Sequence, residues 1–144
     1  MRKTKKQKEP REKTRHPEAN YEHKKNWLEE TARGKRDTVK PDCQILMNYL
    51  DEIGLQYEHR PAIMLKDIDR CKGYIPDLVF HHPAADVIVD FVKPSKYFSW
   101  DYYKTKAADL EGDGYLYYVI RAGEFKNILP EVFFEEIEKD IPRG

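Results

Sequence analysis

Two β-branched runs, YIPDLVF at 74–80 and ADVIVDFV at 85–92, are separated only by the four residues HHPA, and this spacing constrains the fold more than any other feature. Short runs rich in Val, Ile and Phe around a tight connection form a hairpin. A turn centred between Pro83 and Ala84 pairs Asp77 with Asp90, Val79 with Ile88 and Phe80 with Val87. Strand alternation then sends Leu78, Phe80, Val87, Val89 and Phe91 to an apolar face that packs on a helix, with Asp77 and Asp90 on the other face among Val79, Ile88 and Val92. Directly opposed Cβ atoms lie about 5 Å apart, and like charges at that distance destabilise a sheet unless a cation or a shared proton intervenes. Two readings follow: a hard divalent cation such as Mg²⁺, which uses one or two carboxylates with phosphate and water, or strand-end aspartates that only bind turn backbone.

The flanking segments supply the layers around this hairpin. Pro41 suits a first helical position, Ile45, Leu46, Tyr49, Leu50 and Ile53 recur at helical spacing and Gly54 sits at a C-cap, which predicts an amphipathic helix over 41–53. LQYEHRPAIML at 55–65 is β-prone and KDIDRCKG a polar turn, so that three strands form a meander. SWDYYKTKAADL opens a helix at Ser99 that closes before Gly112, YLYYVIR is a dense strand, and a last helix begins near Pro130. The order α-β-β-β-α-β-α describes an α/β layered domain. Asp42, in the first turn of the first helix and on the face of Ile45, Leu46 and Tyr49, points toward the sheet as a third acid; its other reading is stabilisation of the helix dipole.

Charge divides the chain. The totals balance at 26 basic and 26 acidic side chains, yet residues 1–36 hold 13 Lys and Arg against 6 Asp and Glu, leaving 13 against 20 in residues 37–144. The reading is a basic, largely disordered arm over 1–36 and a folded acidic domain over 37–144. Within the arm the first fifteen residues have no aliphatic side chain after Met1 and are expected to be disordered, while 18–33 has helical composition anchored by Trp27 and Leu28. Arg2, Lys3, Lys5, Lys6, Lys8, Arg11, Lys13 and Arg15 are the candidate contacts to a nucleic-acid backbone; a solubilising tail is the alternative.

The ordered motifs resemble the PD-(D/E)xK nuclease superfamily over about residues 38–121: the helix acid Asp42, then Gly54-Leu55-Gln56-Tyr57-Glu58, then Tyr74-Ile75-Pro76-Asp77, then Val87-Ile88-Val89-Asp90 before a helix and a strand. The Tyr-Glu-His-Arg-Pro run with Ile-Pro-Asp is similar to phage endonuclease I type junction resolvases and transposon-end endonucleases. Asp90-Phe91-Val92-Lys93-Pro94-Ser95, with Lys104 and Tyr115 to Ile120, looks like a large bacterial family of restriction-endonuclease-like proteins. The resemblance implies a restriction-endonuclease-like αβββαβ core with a mixed central sheet flanked by helices. It further implies Mg²⁺, with Mn²⁺ able to substitute, held by Asp77, Asp90 and Asp42, and a lysine that assists the attacking water. The lysine position two residues after Asp90 is held by Val92, so Lys104, fourteen residues after Asp90, is favoured over Lys93, with Lys106 third and Glu58 an additional metal or water contact.

The expected activity is Mg²⁺-dependent hydrolysis of DNA phosphodiester bonds, structure-selective in its sharper form. The rivals are an inactive nuclease fold that binds nucleic acid or serves assembly, and an RNA-binding adaptor driven by the arm. A two-fold dimer would fit paired cuts on two strands. Five of the seven residues from Tyr97 to Tyr103 are aromatic, read as helix-sheet packing or a dimer interface ahead of base stacking. Cys43 and Cys71 form no metal-ligand or disulfide pattern and the N-terminus leads into no apolar segment, so a cytoplasmic protein, or one of the nucleoid or host cytoplasm if viral, is expected, with no membrane partner.

Overall fold

The computed structural model describes residues 17–96 and 98–141. The basic side chains from Arg2 to Arg15, and the disorder expected there, lie outside the described residues. Two helices come first, α1 (Pro17–Lys35) and α2 (Pro41–Ile53). Strands β1 (Tyr57–His59), β2 (Ile63–Met64), β3 (Gly73–Tyr74), β4 (Leu78–His82) and β5 (Ala85–Val92) follow, then α3 (Trp100–Gly112), β6 (Leu116–Arg121) and α4 (Pro130–Asp140). Single 3₁₀ turns occupy Ile68–Arg70 and Glu124–Lys126. The molecule is a mixed α/β fold, and among the described residues no helix is long and apolar enough to cross a membrane.

The main sheet has the order β1-β4-β5-β6, antiparallel except for the parallel pair β5 and β6. The hairpin register pairs Leu78 with Val89, Val79 with Ile88 and Phe80 with Val87 around a two-residue Pro83-Ala84 connection, as the alternation predicts. One face carries Leu78, Phe80, Val87, Val89 and Phe91 against Leu46 and Leu50 of α2 and Phe134 and Ile137 of α4. The other face carries Val79, Ile88 and Tyr117 against Leu110 of α3 and Leu65 and Tyr74 of a separate β2-β3 ribbon. Helix α2 ends where expected, with Gly54 at φ 78° donating its N–H to the last carbonyls of the helix. Ser99 caps α3 by accepting from the Tyr102 N–H.

Three details differ from the reading of the sequence. The β-prone run 55–65 is two strands: Arg60 turns the chain at φ 50° and Pro61 has no N–H for a ladder, so β2 leaves the main sheet and pairs with β3. Helix α3 runs through Gly112, with Asp113 as its C-cap. Trp27, expected as an anchor of α1, is 53% exposed; Leu28 and Ala32 are buried instead, and Leu28 packs so closely on Gly73 that a Cβ there would sit 2.6 Å from its Cδ2.

Candidate active site

Asp77 lies one residue before β4 and Asp90 near the end of β5, so the register sets them side by side at the C-terminal end of β5; they are 8% and 4% exposed. Each carboxylate first satisfies the other strand's backbone: the Asp77 N–H donates to Asp90 Oδ1 at 2.8 Å and the Phe91 N–H to Asp77 Oδ2 at 2.8 Å. The backbone-capping role expected of such aspartates is therefore present, but it leaves lone pairs on both groups for side chains.

Three cations reach those lone pairs from three elements. Lys106 of α3 places Nζ 2.6 Å from Asp90 Oδ2. Lys40, the residue ahead of α2, donates to Asp77 Oδ2 at 2.9 Å and to the Phe91 carbonyl at 2.6 Å. Arg60 brings Nε to 3.6 Å from Asp77 Oδ1, while its own N–H donates to the Asp77 carbonyl at 3.0 Å. Its left-handed backbone thus aims both groups at one residue.

Lys106 is 4% exposed, and the rings of Tyr74, Tyr102, Tyr103 and Tyr117 lie within about 6 Å of its ammonium. The Tyr117 hydroxyl donates to Asp90 Oδ2 at 2.5 Å. Burial, reinforced by the Asp90 charge, pushes the Tyr117 phenol far above its ordinary value, so this group remains a proton donor to the carboxylate. Burial, followed by the charge of Asp77, pushes the Cys43 thiol up to about 12 behind the site.

The sequence-predicted residues fall in different places. Asp77 and Asp90 line a cleft of about 170 Å³ together with Lys40, Lys106, Tyr102 and Tyr103. Asp42 is buried, but its Oδ2 accepts the Gly123 N–H at 2.6 Å and it lines a neighbouring cleft of about 490 Å³ with Lys93. Lys104 is exposed: two residues from Lys106 is about 200° around a helix, so α3 turns it from the face that carries Lys106 and Leu110. Strand alternation likewise carries Lys93 away from Asp90. Glu58 is exposed and pairs with His81, whose other ring nitrogen meets Asp86. Of the aromatic run, Phe98 stacks on Tyr103 at 5.3 Å between centroids while Tyr102 stays half exposed at the cleft; Tyr97 lies outside the described residues.

The sequence does not single out Lys40, Arg60 or Tyr117, and it places Lys106 third, behind Lys104 and Lys93. A signal for Lys106 exists in its helical phase: Tyr103, Lys106, Ala107 and Leu110 form one stripe. Lys40 and Arg60 carry no comparable local signal.

The donor set suits a hard divalent cation in kind, being two carboxylates with a carbonyl oxygen beside them. Among the described residues no group of three or more His, Cys, Asp or Glu side chains converges, so two acids are the protein's ionisable ligands there. The Lys40 ammonium holds two of these oxygens, and a metal would have to displace it; its side chain is 43% exposed on a flexible stem, unlike the buried Lys106. No protein-family model matches the chain, and no curated protein is significantly similar to it.

Proposed function

We propose that this chain is a metal-dependent endonuclease of the PD-(D/E)xK type that hydrolyses DNA phosphodiester bonds. The observation that carries the reading is the opposed pair Asp77 and Asp90 with a buried lysine ammonium 2.6 Å from Asp90, at the edge of an accessible cleft. Asp77 and Asp90 would hold Mg²⁺, which when bound neutralises charge on the phosphate and activates water. The chain's own groups do the rest. Lys106, whose ammonium lies 2.6 Å from Asp90 Oδ2, would orient the attacking water by donating a hydrogen bond to it and would stabilise the negative charge that develops as that water loses its proton. Tyr117 fixes the Asp90 carboxylate by its donated hydrogen bond, and Tyr103 with the other rings keeps the ammonium in a dry surrounding where its interactions are stronger. Arg60 and, once displaced, Lys40 supply positive charge to the phosphate. The arm with Arg2, Lys3, Lys5, Lys6, Lys8, Arg11, Lys13 and Arg15 would add salt-dependent affinity for the backbone.

In this reading the α2, β1-β4-β5 meander, α3 and β6 correspond to the restriction-endonuclease-like core, and Lys106 takes the part assigned by spacing to Lys104. The setting is a reducing compartment, in line with two free cysteines. A second reading, an inactive nuclease fold that binds nucleic acid, draws on the fact that both carboxylates already have cationic partners.

The test is cleavage of labelled linear duplex, single strand, flap and four-way junction with Mg²⁺, Mn²⁺ or EDTA. Metal-dependent cutting that disappears in Asp90→Asn and in Lys106→Met, and persists in Lys104→Met, is the expected result. Binding without cutting of any substrate would replace it with the inactive-fold reading.

A further inference from the structure

We propose that the larger cleft beside the carboxylate pair, lined by Lys40, Lys93 and Lys126, seats a backbone phosphate of the bound nucleic-acid strand next to the one at Asp77 and Asp90. This rests on the nucleic-acid part of the reading above and names the subsite that the strand crosses. The two clefts share Lys40 and Phe91 and therefore adjoin. Lys40 arrives ahead of α2, Lys93 after β5 and Lys126 from the 3₁₀ turn after β6, so three separate segments converge their cations on one hollow.

That convergence stands out against its surroundings, because residues 37–144 hold 20 acids against 13 basic side chains. The acid lining the cleft is Asp42, and its Oδ2 is occupied by the Gly123 N–H at 2.6 Å. Lys93 and Lys126 are exposed, and among the described residues neither ammonium has an ion-pair partner. Lys40 is already paired with Asp77 and Asp42 contributes one negative charge, so the uncommitted positive charge of the cleft is that of Lys93 and Lys126.

Its chemistry suits a polyanion rather than a free small anion. Lysines act on phosphate as mobile point charges, without a fixed fork. The Gly123 N–H at the cleft is already taken by Asp42. Flexible ammonium groups brought from separate segments gain most from a ligand held by many phosphates at once, where each contact adds through counterion release. Lys93 is therefore assigned to the strand's phosphate rather than to the attacking water.

The experiment measures binding by the full chain in EDTA, by fluorescence anisotropy, of a labelled 20-base-pair duplex and a 20-nucleotide single strand across a salt series. Lys93→Gln/Lys126→Gln is compared with the wild type and with Lys66→Gln/Lys139→Gln, exposed lysines elsewhere that make the same net-charge change. The expected result is a salt slope smaller by about 1.8 on duplex and about 1.4 on single strand for the cleft pair, with affinity weaker by about fivefold to tenfold per lysine at 100 mM salt and no comparable change in the control pair. Equal effects from both pairs, or none from the cleft pair, would overturn the proposal. So would inorganic phosphate at millimolar concentration binding the wild type but not the cleft variant without displacing the duplex, which would assign the cleft to a small anion. Because the readout is binding without metal, loss of the slope in a protein that cuts nothing would keep the phosphate seat and remove only the nuclease reading.

Discussion

Replacing Lys106 by Met tests the centre of the site through stability as well as activity. Lys106 and Asp90 are each 4% exposed and meet at 2.6 Å, so removing the ammonium leaves a buried carboxylate without its closest cation. Breaking a buried pair from one side costs about 3–5 kcal/mol. The Asp77 N–H and the Tyr117 hydroxyl remain as donors to Asp90 and place this case at the lower end, about 3 kcal/mol, near a third of the stability of an ordinary domain. For a chain of this length that is a fall in Tm of about 6–12 °C. The double variant Asp90→Asn/Lys106→Met removes both charges and recovers about 2 kcal/mol, a coupling that sums of single effects do not produce. Urea unfolding followed by circular dichroism at pH 7 in EDTA measures all three, with the exposed Lys104→Met, expected within about 0.5 kcal/mol of wild type, as the internal comparison. A Lys106→Met cost below about 1 kcal/mol, or a double variant no more stable than the sum of its parts, would refute a buried Lys106–Asp90 pair and the water-handling role built on it.

Four further outcomes are expected. Gly73→Ala drives a Cβ to 2.6 Å from Leu28 Cδ2 and 2.8 Å from the Ile63 carbonyl, and should destabilise by about 1–3 kcal/mol while speeding tryptic cleavage within α1; a neutral melt would mean that α1 is not docked on β3. Lys40→Met opens the seat between Asp77 Oδ2 and the Phe91 carbonyl, and Mn²⁺ affinity read by electron paramagnetic resonance should rise about fivefold, a partly exposed pair being worth about 1 kcal/mol; weaker binding would show that the ammonium does not compete for that seat. His81 is raised above its ordinary value, first by the hydrogen bond to Asp86 and then by Glu58 against some burial, so its stabilisation is present below the unfolded value near 6.5 and is lost as pH rises through the folded one. His81→Gln should accordingly be destabilising at pH 5.5, by under about 1 kcal/mol for so exposed a group, and neutral at pH 9; a cost that grows with pH would contradict the bridge. The Cys43 thiol, pushed up to about 12 chiefly by burial, should ignore a disulfide reagent at pH 8 in native Cys71→Ser protein and react on unfolding, and native-state reaction would show that this core face opens.

The parts of the molecule legible in sequence are those governed by local rules. The Asp77 to Asp90 neighbourhood follows from period-two alternation and a two-residue turn, since slipping the register by one would turn Phe80 and Val87 out of the core. Pro41 and Gly54 bracket α2 for equally local reasons. The cations around the acids obey no such rule. Arg60 reaches Asp77 only because a non-glycine residue adopts φ 50°, and Lys40 only because its long stem spans from the head of α2 to β5. Spacing after Asp90 favours Lys104, whereas helical phase decides which side of α3 meets the sheet and brings Lys106 there.

Lys106 and Arg60 share a property that bears on function. Position 106 lies on a stripe with Tyr103, Ala107 and Leu110, where a methionine or leucine would complete an apolar contact. A buried ion pair is often matched or exceeded in stability by apolar residues of similar volume, so stability alone gives no reason to keep Lys106 opposite Asp90. Arg60 adds a second departure, holding a backbone conformation that a non-glycine residue rarely adopts. Each departure addresses one member of the pair, Arg60 reaching Asp77 from a turn on one side and Lys106 reaching Asp90 from a helix on the other. Independent elements that each give up a local preference to address one pair of groups mark those groups as the place to look for chemistry, and here the pair is Asp77 and Asp90, whatever motif they belong to.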